Sequence, residues 1–251
     1  MNLNEYFSMQ GKVYIGLRNA DGTRQPARWV YDSSKLEWAQ SVSEEEQDES
    51  WSGQRGLAAT LKTKKSLQVN LTLGQLNTDN AARAMSGVAT DVVAGTVTAE
   101  AIGDVKAGDV VALAYGAVSA EALKDGTSAA LVAGTDYTIN ADTGVISFLT
   151  AKTGVVADSY SYAAHSIVTA LSQNAPNVYV VFDGENTVDG ASMKVRGEVY
   201  SVVFNPASTM SWINDNFGSM ELQGKARVDP FRQPDPKWGP FARVLMVDPN
   251  G

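Results

Sequence analysis

SMKVRGEVYSVVF, residues Ser192–Phe204, and GSMELQGKARV, residues Gly218–Val228, decide how this chain folds. In the first segment Met193, Val195 and Val199 alternate with Lys194, Arg196 and Glu198. In the second, Met220, Leu222, Ala226 and Val228 alternate with Glu221, Gln223, Lys225 and Arg227. A period of two puts apolar groups on one face and charge on the other, the signature of a half-buried strand. The connector Asn205–Gly218 opens Asn-Pro and closes Phe-Gly. It is too long for a tight turn and suits an antiparallel pair with an elaborated tip. Composition alone predicts one hairpin of a β-sandwich.

The same alternation recurs outward from this pair. Gly11–Arg18 reads as a strand with Val13, Ile15 and Leu17 on one face, followed by Asp-Gly turn chemistry at Asp21-Gly22. Ala27–Tyr31 and Lys35–Gln40 are short strands around Asp32-Ser33-Ser34, with Trp29 and Trp38 expected as core anchors. Ser66–Leu73 alternates most regularly, with Leu67, Val69, Leu71 and Leu73 facing one way. A helix is predicted over Thr78–Ser86, capped by Asn77 or Thr78, stapled by Leu76 onto Ala81 and ended by Gly87. Pro176–Asp183 gives a further strand with Val178, Val180 and Phe182 on one face.

Between Val88 and His165 the composition changes. Arginine disappears, and nine acids face three lysines, a net charge of −6. Strand signals persist at Val92–Ala99, Val110–Tyr115, Asp136–Asn140, Gly144–Leu149 and Ser159–Ala163, with Asp142-Thr143-Gly144 as a hairpin turn. Regular alternation of turn and strand signals favours an inserted small β domain over low-complexity disorder. The domain plan is therefore residues 1–87 and 166–251 as one discontinuous β domain and 88–165 as the insertion. The tail, Asp229–Gly251, holds five of the eight prolines and reads as an extended arm without helix or central strand. Such an arm is frayed or lies along a neighbouring subunit, and Phe231, Trp238 and Phe241 give it something to bury.

Composition narrows the function. A formal charge of −8 excludes a dedicated nucleic-acid binder, which needs a basic footprint. It suits a wall that nucleic acid must pass without adsorbing. With no cysteine there is no disulfide, thiolate metal site or thiol nucleophile. MNLNEYFSMQ lacks a basic region followed by an apolar core, so no signal peptide is expected. No apolar run approaches the roughly 20 residues that span a bilayer. The lone histidine, His165, has no G-x-S-x-G elbow to serve and reads as a surface or hinge residue. No phosphate-cradling glycine motif occurs. With 28 acids a glycosidase carboxylate pair has no specificity. The chain is expected not to be an enzyme and to need no cofactor or metal.

Ser41–Gly56 stands apart, with Glu44, Glu45, Glu46, Asp48 and Glu49 ahead of Trp51-Ser52-Gly53. In an isolated monomer it reads as a solvated acidic loop. Its acids are consecutive, without the alternate spacing and fixed glycine of a calcium loop.

FNPASTMSWINDNFGSMELQGKARVD, residues 204–229, resembles the C-terminal hairpin of bacteriophage tail tube proteins. In that family a strand ends near F-x-P-A-S, a turn carries I-N-D-x-F-G, and S-x-E-L-x-G-x-A returns. GKVYIG, PARWVY, an acidic segment ending in Ser-Gly, LQVNLTL and a small helix follow the family's order. The resemblance covers Met1–Gly87 and Pro176–Val228. DYTINADTGVISF and the later SYSYAAH are similar to a pattern in decorations of some phage tail proteins.

The resemblance implies a β-sandwich or barrel tail-tube fold with one short helix and an outward-facing, Ig-like insertion. It implies a structural virion protein, made in the host cytoplasm, whose six-membered rings stack into a conduit for DNA ejection. Its partners would be other copies of itself, the tape measure protein, the tail terminator, baseplate or tip proteins, and a sheath in a contractile tail. Glu44, Glu45, Glu46, Asp48, Glu49 and Trp51 would then form a loop packing on the neighbouring ring, with Trp51 as anchor. Lys194, Arg196, Glu198, Glu221, Gln223, Lys225 and Arg227 would be lumen candidates, although their mixed charge departs from a simple negative wall. Phe231, Trp238 and Phe241 would be contacts of the C-terminal arm. The alternative class is a two-domain β adhesin or carbohydrate-binding module with the insertion as reader.

Overall fold

The computed structural model describes residues 6–188, 193–232 and 235–247. Ser192, the first five residues, and Pro234 and Pro249 of the tail lie outside the described residues. In chain order the elements are β1 (Met9–Leu17), β2 (Arg28–Trp29), β3 (Ser33–Asp48), β4 (Leu57–Leu73) and the helix α1 (Thr78–Met85). Next come β5 (Ala89–Val92), β6 (Gly95–Val105), β7 (Val110–Ala112), β8 (Val118–Lys124), β9 (Tyr137–Asn140), β10 (Val145–Phe148), β11 (Lys152–Tyr162) and β12 (His165–Val168). The last four are β13 (Val178–Asn186), β14 (Lys194–Phe204), β15 (Met220–Ala226) and β16 (Ala242–Val247). The protein is mainly β. Among the described residues no helix is long and apolar enough to cross a membrane.

The chain divides into two compact units, Met1–Val88 with Thr169–Gly251, and Ala89–Val168. The first holds an eight-stranded sheet in the order β2-β1-β13-β14-β15-β4-β3, with β16 joined to β14. Every pairing in it is antiparallel. One apolar face makes the core, because the period-two residues of several strands converge there. Val13 and Ile15 come from β1, Leu67, Val69, Leu71 and Leu73 from β4, Val178 and Val180 from β13, Val199 and Val202 from β14, and Leu222 from β15. Trp38 packs on this core. Trp29 does not: 41% of it is exposed, against Tyr31 and under the ammonium of Lys12. Strand β2 is a two-residue edge whose next residue, Val30, turns inward and is fully buried, so the indole keeps the outer side.

The helix behaves as its caps dictate. The Asn77 side chain accepts the backbone N–H of Asn80, and the left-handed Ser86, one residue before the expected Gly87, closes the far end. Leu76 is exposed, so it does not form the expected staple. Buried Asn80 instead fixes the helix, donating to the carbonyl oxygens of Val30 and Gln75. Ala84 enters the core beneath.

The second unit carries two three-stranded sheets, β6-β11-β8 and β7-β10-β9, and the two-stranded β5-β12. Val155, Ala157 and Tyr160 from one sheet and Tyr137, Ile146 and Phe148 from the other share one core. The expected turn at Asp142-Thr143-Gly144 joins β9 and β10, with Asn140 opposite Val145. His165 lies in β12 opposite Val92, edge-on to the stacked pair Tyr115 and Tyr162.

Candidate functional site

The acidic segment is not a loop. Glu44, Glu45, Glu46 and Asp48 continue β3, which pairs with β4 from Ser33↔Leu73 out to Asp48↔Leu57. Of these acids only Glu44 faces a lysine, Lys62; Glu45, Glu46 and Asp48 face Leu61, Thr60 and Leu57, while Lys64 and Lys65 face Ser43 and Val42. The ladder of backbone pairs continues along the ribbon where no core supports it, with one cross-strand opposite-charge pair, Glu44 and Lys62, in register. Glu49 opens the tip, and its carboxylate accepts the backbone N–H groups of Trp51 and Ser52 at 3.2 and 2.9 Å. These bonds hold its carboxyl below the ordinary range, with the Ser52 hydroxyl contributing most. Trp51 projects at the tip, 80% exposed. From Ser41 through Lys65 every residue is exposed except the half-buried Glu49. Eight residues separate Ser41 from Glu49, so the arm reaches about 26 Å beyond the last core-facing pair at about 3.3 Å per residue.

The lumen candidates fall into two groups and one exception. Glu221, Gln223 and Lys225 are exposed on β15 and sit beside Thr72, Asn70 and Gln68 of β4. Arg227, also exposed, follows the strand end, where its N–H donates to Ser201. Lys35 and Glu37 of β3 extend this polar face and pair at 3.0 Å. Lys194 and Arg196 are exposed as well, but they lie where β14 pairs with β13 and β16. Strand β14 meets β15 only at Val202, Val203 and Phe204. The hairpin expected from Ser192–Val228 is thus short, and its two arms present separate polar patches.

Glu198 is the exception and a correction. It is 5% exposed, not a wall residue. Arg243 grips both its carboxylate oxygens at 3.2 and 3.3 Å, Arg196 pairs at 3.0 Å and Arg24 stands at 3.8 Å. The alternation is correct, but the polar face is covered here. The cover is the C-terminal segment, which corrects the second expectation. That segment is not a free arm: β16 runs antiparallel to β14, from Ala242↔Val199 to Val247↔Lys194. Phe241 packs on the core and Trp238 on its own chain. Phe231 keeps 61% of its surface exposed, beneath the guanidinium of Arg18.

A cluster of arginines and aromatic rings fastens this segment. Arg18 and Asp229, both almost fully buried, pair at 2.8 Å, and Arg232 adds a second cation at 3.4 Å. Arg24 lies over Tyr179, Arg232 over Tyr200 and Trp238, and Arg243 over Trp238 at 3.5 Å from the ring centre. The Tyr200 hydroxyl donates to the Trp238 carbonyl. Five arginines thus surround two buried carboxylates, and ring faces take up the excess charge. Burial pulls the Arg24 guanidinium below its ordinary range, Arg232 adds to this, and Glu198 opposes it. Sequence reading missed the cluster, since its members are scattered from Arg18 to Arg243.

The fold and these surfaces define a mainly β protein whose long sheet carries an uncovered hairpin arm. The chain belongs to the family described as "Protein of unknown function UCP028589", whose sequence model matches residues 6–245. No curated protein matches the chain.

Proposed function

We propose that this protein is the tail tube subunit of a bacteriophage. Copies join into six-membered rings, and the rings stack into the conduit that carries DNA to the host. The observation that carries this reading is the bare arm. A two-stranded ribbon is marginal in water without a third layer, and no face of this one packs on its own chain. Five carboxylates and four cations from Ser41 to Ser66 keep it soluble, and a second copy can complement both signs. The arm packs on the adjoining ring, with Trp51 as its anchor. The long sheet supplies the inner wall through Glu221, Gln223, Lys225 and Arg227, a face that mixes acid, amide and base and gives DNA no continuous basic track. Closing sheets into a ring removes their open edges. The unit Ala89–Val168 is the outward decoration, of Ig-like type. The tape measure protein, tail terminator and baseplate or tip proteins meet the same tube, with a sheath added in a contractile tail.

Negative-stain electron microscopy, beside light scattering over a concentration series, tests the reading. Rings or tubes with a central hole are expected. Removing Glu44–Lys62 should leave rings that no longer stack. A strict monomer up to about millimolar concentration, in the range where weak specific contacts form, refutes it.

A further inference from the structure

The connector between β14 and β15 shows an unusual surface. Ala207 and Met210 pack on the core, and the Ala207 N–H donates to the Ala84 carbonyl, so the base of the connector is fixed. Beyond it, Trp212, Ile213 and Phe217 stand 71%, 95% and 104% exposed. Three large apolar side chains on one anchored loop exceed what scattered surface hydrophobics explain.

The same unit holds a groove of about 740 Å3 whose walls combine apolar Leu36, Trp38, Phe182 and Val244 with polar Asp32 and Lys35. Its size falls in the range, roughly 300–1,000 Å3, that accepts a compact apolar group. The Trp38 ring lies over Gly197, where any larger residue would displace it. Its indole N–H is buried and has no acceptor among the described residues.

Loop and groove sit at opposite ends of β14. The groove lies at Val195 and Gly197, and the loop begins after Phe204. Seven residues from Gly197 to Phe204 make about 23 Å at about 3.3 Å each. We infer that Trp212, Ile213 and Phe217 of one copy seat in the groove between β1, β3 and β14 of a second copy, joining subunits head to tail. This deepens, and rests on, the self-assembly reading above. A head-to-tail contact between unlike patches closes into a ring or runs on as a filament, and needs no two-fold axis. Large side chains bury roughly 150–250 Å2 each, so three supply about 500 Å2 and the groove a similar area. The total, about 1,000 Å2, is at the lower edge of a specific interface. A single contact is therefore weak, and a closed set is stable.

The absence of native cysteine makes a disulfide test clean. The I213C/V244C double variant, mildly oxidised, should give a ladder of linked oligomers on a non-reducing gel. An equimolar mixture of the I213C and V244C single variants should stop at dimers. Substituting W212A/F217A should raise the concentration needed for assembly at least about 30-fold, the effect of losing an interface hot spot. Absence of a ladder overturns the inference. Dimers from I213C alone, as abundant as in the mixture, overturn the head-to-tail geometry. A ladder from W51C/V244C in place of I213C/V244C makes the hairpin tip the occupant and overturns it as well. Microscopy of the same samples separates the two claims. Rings without a ladder leave the tube reading standing and remove this contact, whereas a ladder without rings does the reverse.

Discussion

Replacing Glu198 by alanine tests the covered face of β14 directly. The carboxylate is 5% exposed and sits among Arg24, Arg196 and Arg243. Arg196 is half exposed, so losing its pair costs little. Arg24 and Arg243 keep only 23% and 20% of their side-chain surface and lose their shared counter-charge. Removing one partner of a buried pair costs about 3–5 kcal/mol, and the partial exposure of both arginines places this case near 3. In a unit of this size each kcal/mol moves Tm by about 2–4 °C, so a fall of about 6–12 °C is expected. Tryptophan fluorescence reads it cleanly, because all five tryptophans lie in the unit Met1–Val88 with Thr169–Gly251. The E198Q variant, which keeps the shape and loses the charge, should fall between parent and E198A. The calorimetric transition of the other unit should stay put. A Tm for E198A within about 1 °C of the parent, as for an ordinary surface substitution, refutes the reasoning and returns Glu198 to the solvent-facing set.

Three further outcomes are expected. Gly144 holds a left-handed φ of 70°, and a Cβ there collides with the Tyr115 carbonyl, so G144A should destabilise the unit Ala89–Val168 by about 1–3 kcal/mol in calorimetry. Shortening the arm by removing Glu44–Lys62 and closing it with Asn-Gly should change Tm by under about 1 °C, since the arm adds nothing to the core. In Ala89–Val168, Asp136 is held below the ordinary carboxylate range by the Val132 N–H first and then by Lys152, and Asp125 by the Thr127 hydroxyl first. Their folded values lie below their unfolded ones, so the stability they give is present above about pH 4 and is lost as pH falls through the folded values. Thermal scans from pH 5 to pH 2 should show that loss, and D136N should flatten it; an unchanged slope in D136N removes Asp136 as a cause.

Much of the fold is legible where one face of a strand is buried. Ser66–Leu73 shows it, because each apolar residue there meets the same core. The arm is illegible by the same rule: neither face of Ser41–Lys65 is buried, so no period appears. What remains readable is charge, with acids at Glu44–Glu49 and lysines at Lys62–Lys65 at hairpin distance. Glu198 misleads because alternation names a face and not what covers it. Its neighbours Val199, Tyr200, Ser201 and Val202 are all buried, the near-continuous run of a strand covered on both sides. The prolines of the tail hide β16, although Val244, Leu245, Met246 and Val247 form a β-prone run between Pro240 and Pro249. Strand β8 goes unread because Ala, Glu and Lys carry weak β preference. The aromatic loop at Trp212 and Phe217 is visible in the sequence, but its exposure is a matter of three dimensions.

The antiparallel pairing of β5 with β12 has a kinetic consequence. Ala89 lies opposite Val168, and in the other unit the Thr169 N–H donates to Val88, so the chain leaves and returns at one place. The eight-stranded sheet must join β1–β4 to strands that follow some 80 residues of intervening chain. Loop-closure entropy rises by about 0.6 kcal/mol per doubling of length. If that stretch first folds on itself, its ends meet, and the effective loop shrinks from about 80 residues to a few. Four doublings vanish, lowering the barrier to sheet assembly by about 2.5 kcal/mol. The inserted unit is then a clasp that draws the two halves of the sheet together while the chain is still emerging.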